Sequence, residues 1–327
     1  MINAAIVGLG GWGQNLVTSV QGKSDRIRFT TGVTRTPAKA EEFCREHAIA
    51  LGDDYAAMLA DLAIDAVVLA TPHTRHAAEI VAAAEAGKHV FAEKPFTMTV
   101  AEAETALDAL ASRGLKAGVG HNRRFAPNTT ELKRMLDVGE LGERVHIEGQ
   151  FSANMARHDG TWRSSRTESP AGGMTSLGIH LVDMFIHLFG RVTEVQTWSR
   201  RVAMPYDVDD ATSVLIGFED GRVGTLSTVA NSASIWRVRV LASSGWVELK
   251  EQNRLERLMT DGTHEEKEWP GLAYPSFETI GAGLDAFADD VEGKAAFPIT
   301  PDEIRHCIAT FEAIVRSAET GEKVRLS

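Results

Sequence analysis

The chain has 327 residues, of which 43% are hydrophobic and 24% charged, which is typical of a globular protein with about two domains. Its net charge of −11 argues against a broad nucleic-acid surface, and no apolar run reaches the ~18 residues of a membrane helix. Cys44 and Cys307 are too far apart in sequence to indicate a disulfide framework. A strand signal at the first residues leaves no room for a signal peptide. We therefore expect a cytoplasmic protein that acts on small molecules, not on nucleic acid or membranes.

A predicted strand from Ile2 to Val7 leads directly into a glycine-rich turn and a helix. The turn reads Gly8-Leu9-Gly10-Gly11-Trp12-Gly13, which is the G-x-G-x-x-G motif in the strand–turn–helix context of dinucleotide-binding proteins. Gly8 permits the tight turn, Gly10 lets the backbone approach a pyrophosphate, and Gly13 lets the helix pack closely. The helix N-terminus favours the phosphate. The motif therefore predicts a dinucleotide site; a glycine-rich turn without a ligand is the alternative.

The second predicted strand, Ile27 to Val33, ends in Thr34-Arg35-Thr36. An NAD enzyme usually has a carboxylate here to accept the ribose 2′-hydroxyl. Two hydroxyls and an arginine suit a 2′-phosphate instead, so we predict NADP as the preferred cofactor. If Arg35 only stacks on the adenine, the protein would accept NAD equally.

A continuous apolar strand, Ala66 to Ala70, is typical of a strand buried on both faces, and Thr71-Pro72 ends it beside the expected cofactor. His73 and His76 follow. Their spacing could indicate a metal pair, but no cysteine or acid cluster joins them, so we interpret them as loop and helix-start histidines and predict no metal site. The helix they introduce ends at Gly87.

The next strand, Lys88 to Ala92, runs into Glu93-Lys94-Pro95. Ligands bind outside the carboxyl ends of the strands in such sheets, and a partly buried lysine can pass a proton. The alternative is a surface Glu-Lys pair that closes a turn. A further helix and strand complete a doubly wound parallel sheet, which predicts a first domain over residues 1–122.

Residues 123–327 are predicted to form a second, α+β domain with a large, open, mainly antiparallel sheet. Short β-rich segments alternate with turn signals from Val145 to Leu249. Helices at Thr279–Glu292 and Pro301–Glu319 close the fold, and the sequence leaves open whether the C-terminal helix packs back on the first domain.

A helix predicted from Thr175 to Phe189 follows Gly172-Gly173 and places His180, Asp183 and His187 on one face. His180 is a candidate acid–base residue. The alternatives are a core histidine held by Asp183 and a metal site formed by all three side chains. Upstream, the loop from Asn154 to Glu168 contains Trp162 and Arg163, which suit a sugar ring and an anionic group; a solvated surface loop is the alternative.

Together these motifs resemble the Gfo/Idh/MocA family, named after glucose–fructose oxidoreductase, inositol dehydrogenase and rhizopine catabolism. The matching segments follow the family's order along both halves of the chain: Gly8-x-Gly10-x-x-Gly13, Thr71-Pro72 with His76, Ala86-Gly87-Lys88-His89-Val90 before Glu93-Lys94-Pro95, Asn122-x-Arg124-Phe125-x-Pro127, and Gly172-Gly173 through His180.

The resemblance implies hydride transfer between a nicotinamide and a sugar, polyol or related carbonyl compound. It implies a Rossmann domain and a second domain whose open sheet carries the substrate pocket and commonly serves in oligomerisation, here as a homodimer or homotetramer. Proton transfer would fall to Lys94 and His180. From the residues themselves, we expect Asp183 to support His180, and Trp162 and Arg163 to bind the substrate. The implied cofactor site adds to the glycine turn and Thr34-Arg35-Thr36 the residues Thr71, Pro72, His76, Glu93, Lys94, Pro95, Asn122 and Arg124.

Many dehydrogenases of this family carry an aspartate four residues before the histidine, where this chain has Ser176. A hydroxyl cannot stabilise an imidazolium as a carboxylate does. His180 would therefore rely on Asp183, or Lys94 would carry most of the proton transfer. Two other functions stay open: a non-catalytic, nucleotide-sensing regulator, and a glycoside hydrolase that retains NAD and oxidises its substrate transiently.

Overall fold

The computed structural model describes residues 1–272 and 276–326. Its α-helices, in chain order, are α1 (Gly11–Val20), α2 (Glu41–Glu46), α3 (Tyr55–Leu59), α4 (His76–Glu85), α5 (Val100–Ala111), α6 (Pro127–Asp137), α7 (Ile179–Phe189), α8 (Phe277–Val291) and α9 (Pro301–Thr320). Its strands are β1 (Ile2–Val7), β2 (Ile27–Val33), β3 (Ala50–Gly52), β4 (Ala66–Leu69), β5 (His89–Ala92), β6 (Ala117–Val119), β7 (Arg144–Asn154), β8 (Val192–Arg200), β9 (Ala211–Phe218), β10 (Val223–Val229), β11 (Asn231–Ala242), β12 (Gly245–Lys250), β13 (Arg254–Met259), β14 (His264–Glu268) and β15 (Val324–Arg325).

The first compact unit contains residues 1–122 and 276–305. Within these residues, six strands form one sheet in the order β3-β2-β1-β4-β5-β6, and every pair is parallel. All four residues of β4 are buried, as expected for a strand covered on both faces. The strand order reverses between β1 and β4, so the carboxyl ends of these strands form the switch point at which ligands bind. The predicted doubly wound sheet is confirmed.

Helix α8 belongs to the first unit, although it follows the second half of the chain. Its Phe287 ring packs edge-on against Phe91 of β5 at 5.6 Å, and Asp290 pairs with Lys116 at 2.8 Å. The first unit thus ends at residue 122 and also includes residues 276–305, which come much later in the chain. The sequence pattern predicts the helix but not the sheet on which its apolar face packs.

The second unit contains residues 123–272 and 306–326. There the described strands form a nine-stranded sheet in the order β14-β13-β12-β11-β7-β10-β9-β8-β15. All pairs are antiparallel except β7 with β10, so the predicted mainly antiparallel sheet is confirmed. Strands β13 and β14 were missed because neither carries a regular apolar alternation: half of the residues of β13 and four of the five residues of β14 are charged.

Helix α7 lies against the inner face of this sheet at β7 and β10. A Cβ added to Gly149 would lie 2.8 Å from the Phe185 ring, and one at Gly224 would lie 3.2 Å from it. These glycines therefore let the helix approach the strands closely. Among the described residues, no helix is long and apolar enough to cross a lipid bilayer.

Candidate active site

The carboxyl ends of the parallel strands bring most of the predicted cofactor residues to one edge of the first sheet. The glycine turn follows β1, Thr34 follows β2, Thr71 follows β4, and Glu93 follows β5. Asn122 comes shortly after β6, and its side-chain amide donates to Thr279 Oγ1 of α8 at 2.9 Å. This edge is where the βα topology places a ligand.

The glycine turn has the shape that a pyrophosphate requires. Gly8 has a φ of 95°, and a Cβ there would lie 2.5 Å from the Ala70 carbonyl oxygen. A Cβ at Gly13 would lie 1.9 Å from the Gly8 carbonyl oxygen, so the helix and the turn touch. Gly10 and Gly11 are exposed and face open space. Nε1 of Trp12 is buried and meets no hydrogen-bond acceptor among the described residues. A bound dinucleotide fits this cradle, which offers N–H donors and no carboxylate of its own.

Thr34, Arg35 and Thr36 follow β2 with two exposed side chains. Thr34 is half-buried, and its backbone N–H donates to the Gly52 carbonyl oxygen at 3.1 Å. Arg35 and Thr36 are exposed. A guanidinium and a hydroxyl are thus accessible at the position of the ribose 2′ group.

Thr71 is held by the first turns after β4. Its hydroxyl donates to Oε2 of buried Glu79 at 2.5 Å, and Arg75 pairs with Oε1 at 2.7 Å. Burial raises the pKa of the Glu79 carboxyl, while the bond from Thr71 and the charge of Arg75 oppose that rise. His76 is fully buried, and its ring nitrogens meet the Pro95 and Thr71 carbonyl oxygens at 2.9 and 3.2 Å.

Lys94 is half-buried and lies just after β5, next in sequence to the buried carboxylate of Glu93. Glu93 is 7% exposed, and its Oε1 lies so close to the backbone that a Cβ at Gly120 would come within 2.5 Å. Lys94 N–H donates to Glu93 Oε2 at 3.3 Å, and the Lys94-Pro95 bond is cis. Because Glu93 is buried, the alternative of a surface ion pair does not describe this turn.

In the second unit, glycines fix the point at which the His180 helix begins. The chain enters through Gly172, with a φ of 60°, where a Cβ would lie 1.7 Å from the Asp209 carbonyl oxygen. A π-helical turn, Met174–Gly178, then leads into α7, so the predicted helix is confirmed with one wider turn at its start. His180 is 7% exposed, and its ring lies 6.1 Å from that of Phe151 on β7.

Asp183, one turn after His180, is bound by Arg124. Nε of Arg124 lies 3.0 and 2.9 Å from the two carboxylate oxygens of Asp183, and Nη2 lies 2.8 Å from Oδ1. Nη1 lies 3.3 Å from Nδ1 of His187. Both charged side chains are 3% exposed or less. The arrangement gives Arg124 a structural role; its implied contact with the nicotinamide stays a prediction.

A buried stack beside His180 was missed by sequence reasoning. The Arg123 guanidinium lies 3.9 Å from the centre of the Trp236 ring and 4.5 Å from that of Phe151. The two rings meet edge-to-face at 5.1 Å. Arg123 stands inside the Asn122-to-Pro127 motif, but one sequence gives no signal that joins it to aromatic residues on β7 and β11.

The loop predicted to recognise substrate carries a group of positive charges. Arg163 stacks on Trp162 at 4.1 Å, and Nε of Arg157 lies 3.5 Å from Nε2 of His158. Burial lowers the pKa of His158, and the charges of Arg163 and Arg157 add to this effect. The Arg163 guanidinium thus lies on the Trp162 ring, and the positive charges of this loop suit an anionic group.

Comparisons with known proteins agree with this geometry. Residues 2–121 match the model of the oxidoreductase family with an NAD-binding Rossmann fold, and residues 129–248 match the GFO/IDH/MocA C-terminal domain. The scyllo-inositol 2-dehydrogenase (NAD(+)) of Bacillus subtilis (strain 168) is 31% identical over 71% of this chain and 68% of its own length. The scyllo-inositol 2-dehydrogenase (NADP(+)) IolW of the same organism is 32% identical over 40% of this chain and 36% of its own length.

A solved levoglucosan dehydrogenase in complex with NADH superposes with a TM-score of 0.89, covering 100% of this chain and 99% of that structure at 20% identity, which shows the same fold. Both family models, matched in their usual order, cover most of the chain, and the glycine turn fits a dinucleotide. The chain therefore belongs to the Gfo/Idh/MocA family of NAD(P)-dependent oxidoreductases.

Proposed function

We propose that this protein is a dehydrogenase or reductase of a sugar or polyol, with Lys94 and His180 in proton transfer. The observation that carries the proposal is the position of Lys94: half-buried, at the carboxyl end of β5, in the unit that holds the glycine turn. The inositol dehydrogenases among its relatives support a polyhydroxylated substrate.

When bound, the nicotinamide accepts or supplies the hydride. The chain's own residues have other tasks. Gly8 to Gly13 hold the pyrophosphate, and Thr34, Arg35 and Thr36 hold a 2′-phosphate, which favours NADP. Lys94 Nζ takes the hydroxyl proton in oxidation and returns it in reduction, and the His180 imidazole shares this transfer. Trp162 and Arg163 bind and orient the substrate.

The test is a spectrophotometric screen at the reduced-nicotinamide band with inositols, levoglucosan and simple aldoses, using NAD and NADP separately. Lys94→Met removes the proton-transfer group, so we expect kcat to fall by about 10²–10⁴. Lys116→Met is the matched control, because it removes a 40% exposed lysine of the same unit that pairs with Asp290. Turnover of Lys94→Met within a few-fold of the wild type would contradict the proposed role.

The same screen separates the two other functions. Cofactor binding without turnover of any substrate would favour a regulator. Release of an aglycone without net change in reduced nicotinamide would favour a glycoside hydrolase that retains NAD.

Assembly into a homodimer or homotetramer also belongs to this proposal. Trp198, Leu215 and Val223 are each about half exposed, and they lie on neighbouring strands of the second sheet. Such an apolar strip supports association, and sedimentation velocity would measure the oligomeric state.

A further inference from the structure

His76, the buried first residue of α4, meets a backbone carbonyl group at each of its two ring nitrogens. Nδ1 lies 2.9 Å from the Pro95 oxygen, and Nε2 lies 3.2 Å from the Thr71 oxygen. Both distances are within the ordinary range of N–H···O hydrogen bonds. The ring therefore joins the turn that follows β4 to the turn that follows β5.

The two partners decide the protonation state of the ring. A backbone carbonyl oxygen only accepts, so a hydrogen bond at each position needs an N–H on each nitrogen. A neutral imidazole carries one N–H and one lone pair in either tautomer, and the lone pair would then face a carbonyl oxygen. Only the imidazolium form donates from both nitrogens. We propose that His76 is held as an imidazolium that binds the Thr71 and Pro95 carbonyl groups together and so positions Lys94.

Two acidic residues, Glu79 and Glu93, lie in the elements that His76 joins, and their carboxylate forms would offset the burial of a cation. Glu79 lies three residues further along α4, and its carboxylate accepts from the hydroxyl of Thr71, whose carbonyl group the ring binds. Glu93 is buried two residues before Pro95. A carboxylate close to an imidazole favours its charged form.

Cationic and neutral groups lie in the same region. Arg75 pairs with Glu79 at 2.7 Å and so balances part of its charge. Lys94 directly precedes Pro95, and the ring of His73 lies 6.1 Å from that of His76, edge-on. These groups oppose protonation of His76. The rest of the free energy that keeps the ring protonated must therefore come from its two charge-assisted hydrogen bonds.

The consequence for Lys94 follows from the chain. This inference rests on the proposed function, because it concerns the placement of the proton-transfer lysine. The peptide group after Pro95 is tied to a ring on α4, and the same ring ties the turn that carries Thr71-Pro72. Without a double donor, one of the two carbonyl groups loses its hydrogen bond from the ring, and the turn after β4 or the turn after β5 loses its contact with His76.

Histidine side-chain NMR on the full chain tests the protonation state directly. In ¹H–¹⁵N spectra of ¹⁵N-histidine-labelled protein at pH 7.5, we expect both nitrogens of His76 to carry protons. His47 is the internal reference, because its Nδ1 meets one carbonyl oxygen, that of Phe43, at 2.9 Å. Assignment uses contacts from the ring protons to neighbouring residues of α4, so the wild-type spectrum decides the point even if a variant fails to fold. One unprotonated nitrogen on His76 at this pH overturns the inference.

Kinetics test the positioning role. His76→Gln replaces two charged ring donors at separate positions by one neutral amide nitrogen. We therefore expect kcat to fall about tenfold or more while KM for the sugar changes less. His73→Gln replaces a buried ring in the same turn but keeps the two hydrogen bonds of His76, so we expect its rate to stay close to that of the wild type. A fully active His76→Gln overturns the positioning role. A doubly protonated His76 in a protein without any turnover leaves the proposed protonation state standing and defeats the proposed function. A neutral ring in an active enzyme overturns the protonation state and leaves the proposed function standing.

Discussion

The buried pair Arg124–Asp183 provides the sharpest test of how the His180 helix is held. Asp183→Asn keeps the size of the side chain and removes its charge, which leaves the guanidinium buried without its counter-charge. The two side chains are 3% and 2% exposed and make bonds of 2.8 to 3.0 Å. Removing one partner of such a pair destabilises a protein by about 3–5 kcal/mol.

For a unit of this size, 1 kcal/mol shifts Tm by about 2–4 °C, so Asp183→Asn should lower Tm by about 6–20 °C. Differential scanning calorimetry is the appropriate assay, because a chain of two units need not unfold in one step and each transition must be followed separately. The matched control is Asp137→Asn, which breaks the pair with Lys133 (2.5 Å, side chains 31% and 48% exposed) and a longer one with Arg144 (3.5 Å). Exposed pairs contribute about 0–1 kcal/mol, so the control should stay close to the wild type.

A double variant checks that the effect comes from the uncompensated charge. Replacing both partners by apolar residues, as in Arg124→Met with Asp183→Leu, also removes the buried charge of Arg124 and should recover part of the lost stability. If Asp183→Asn lowers Tm no more than Asp137→Asn, or if the two single changes simply add in the double variant, the buried pair does not stabilise this helix.

Further predictions concern the cofactor site. Gly10→Ala places a Cβ in open space, so Tm should stay unchanged while NADPH binding weakens by about 1–3 kcal/mol through overpacking against the ligand. A fluorescence titration measures the affinity, and an unchanged value would contradict the proposed pyrophosphate site at the glycine turn. Gly13→Ala would put a Cβ 1.9 Å from the Gly8 oxygen and should lower both Tm and affinity. Gly52→Ala is the control, because a Cβ there meets no atom within 4 Å. Arg35→Ser should weaken NADPH but not NADH binding; equal loss of both would contradict the 2′-phosphate role.

The parts of this fold that sequence reasoning predicted are those encoded locally. Alternating apolar strands and helices specify a parallel sheet, because each kind of element carries its own period and glycines mark several of the turns, as at Gly8, Gly87 and Gly114. The same logic places Thr71 and Lys94 at strand ends without any knowledge of distances. Local chemistry also predicts the helix that carries His180. The reason that Gly172 must be a glycine is not local, because a Cβ there would clash with the Asp209 carbonyl oxygen.

The parts that were missed depend on partners far apart in sequence. Arg123 stacks on Trp236, 113 residues further along the chain, and no periodic pattern announces such a pair. Likewise, α8 belongs to the first unit because its Phe287 packs on Phe91 of β5, and the sequence of the helix does not specify that partner. Strand β14 has five exposed residues and is held by backbone pairing to β13, so its side chains carry no strand signal.

The binding of Asp183 by Arg124 also bears on the roles left open by Ser176. Asp183 could replace the family's usual aspartate only if its charge were available to stabilise an imidazolium on His180. Both of its carboxylate oxygens accept hydrogen bonds from Arg124, and a carboxylate paired with a guanidinium has most of its field balanced at short range. We therefore expect Asp183 to add little to the stability of an imidazolium on His180. Ser176 offers a hydroxyl and no charge, so we infer that His180 mainly donates or accepts a hydrogen bond at the substrate, and that Lys94 carries the larger share of proton transfer. On this reasoning, Lys94→Met should lower kcat more than His180→Asn does.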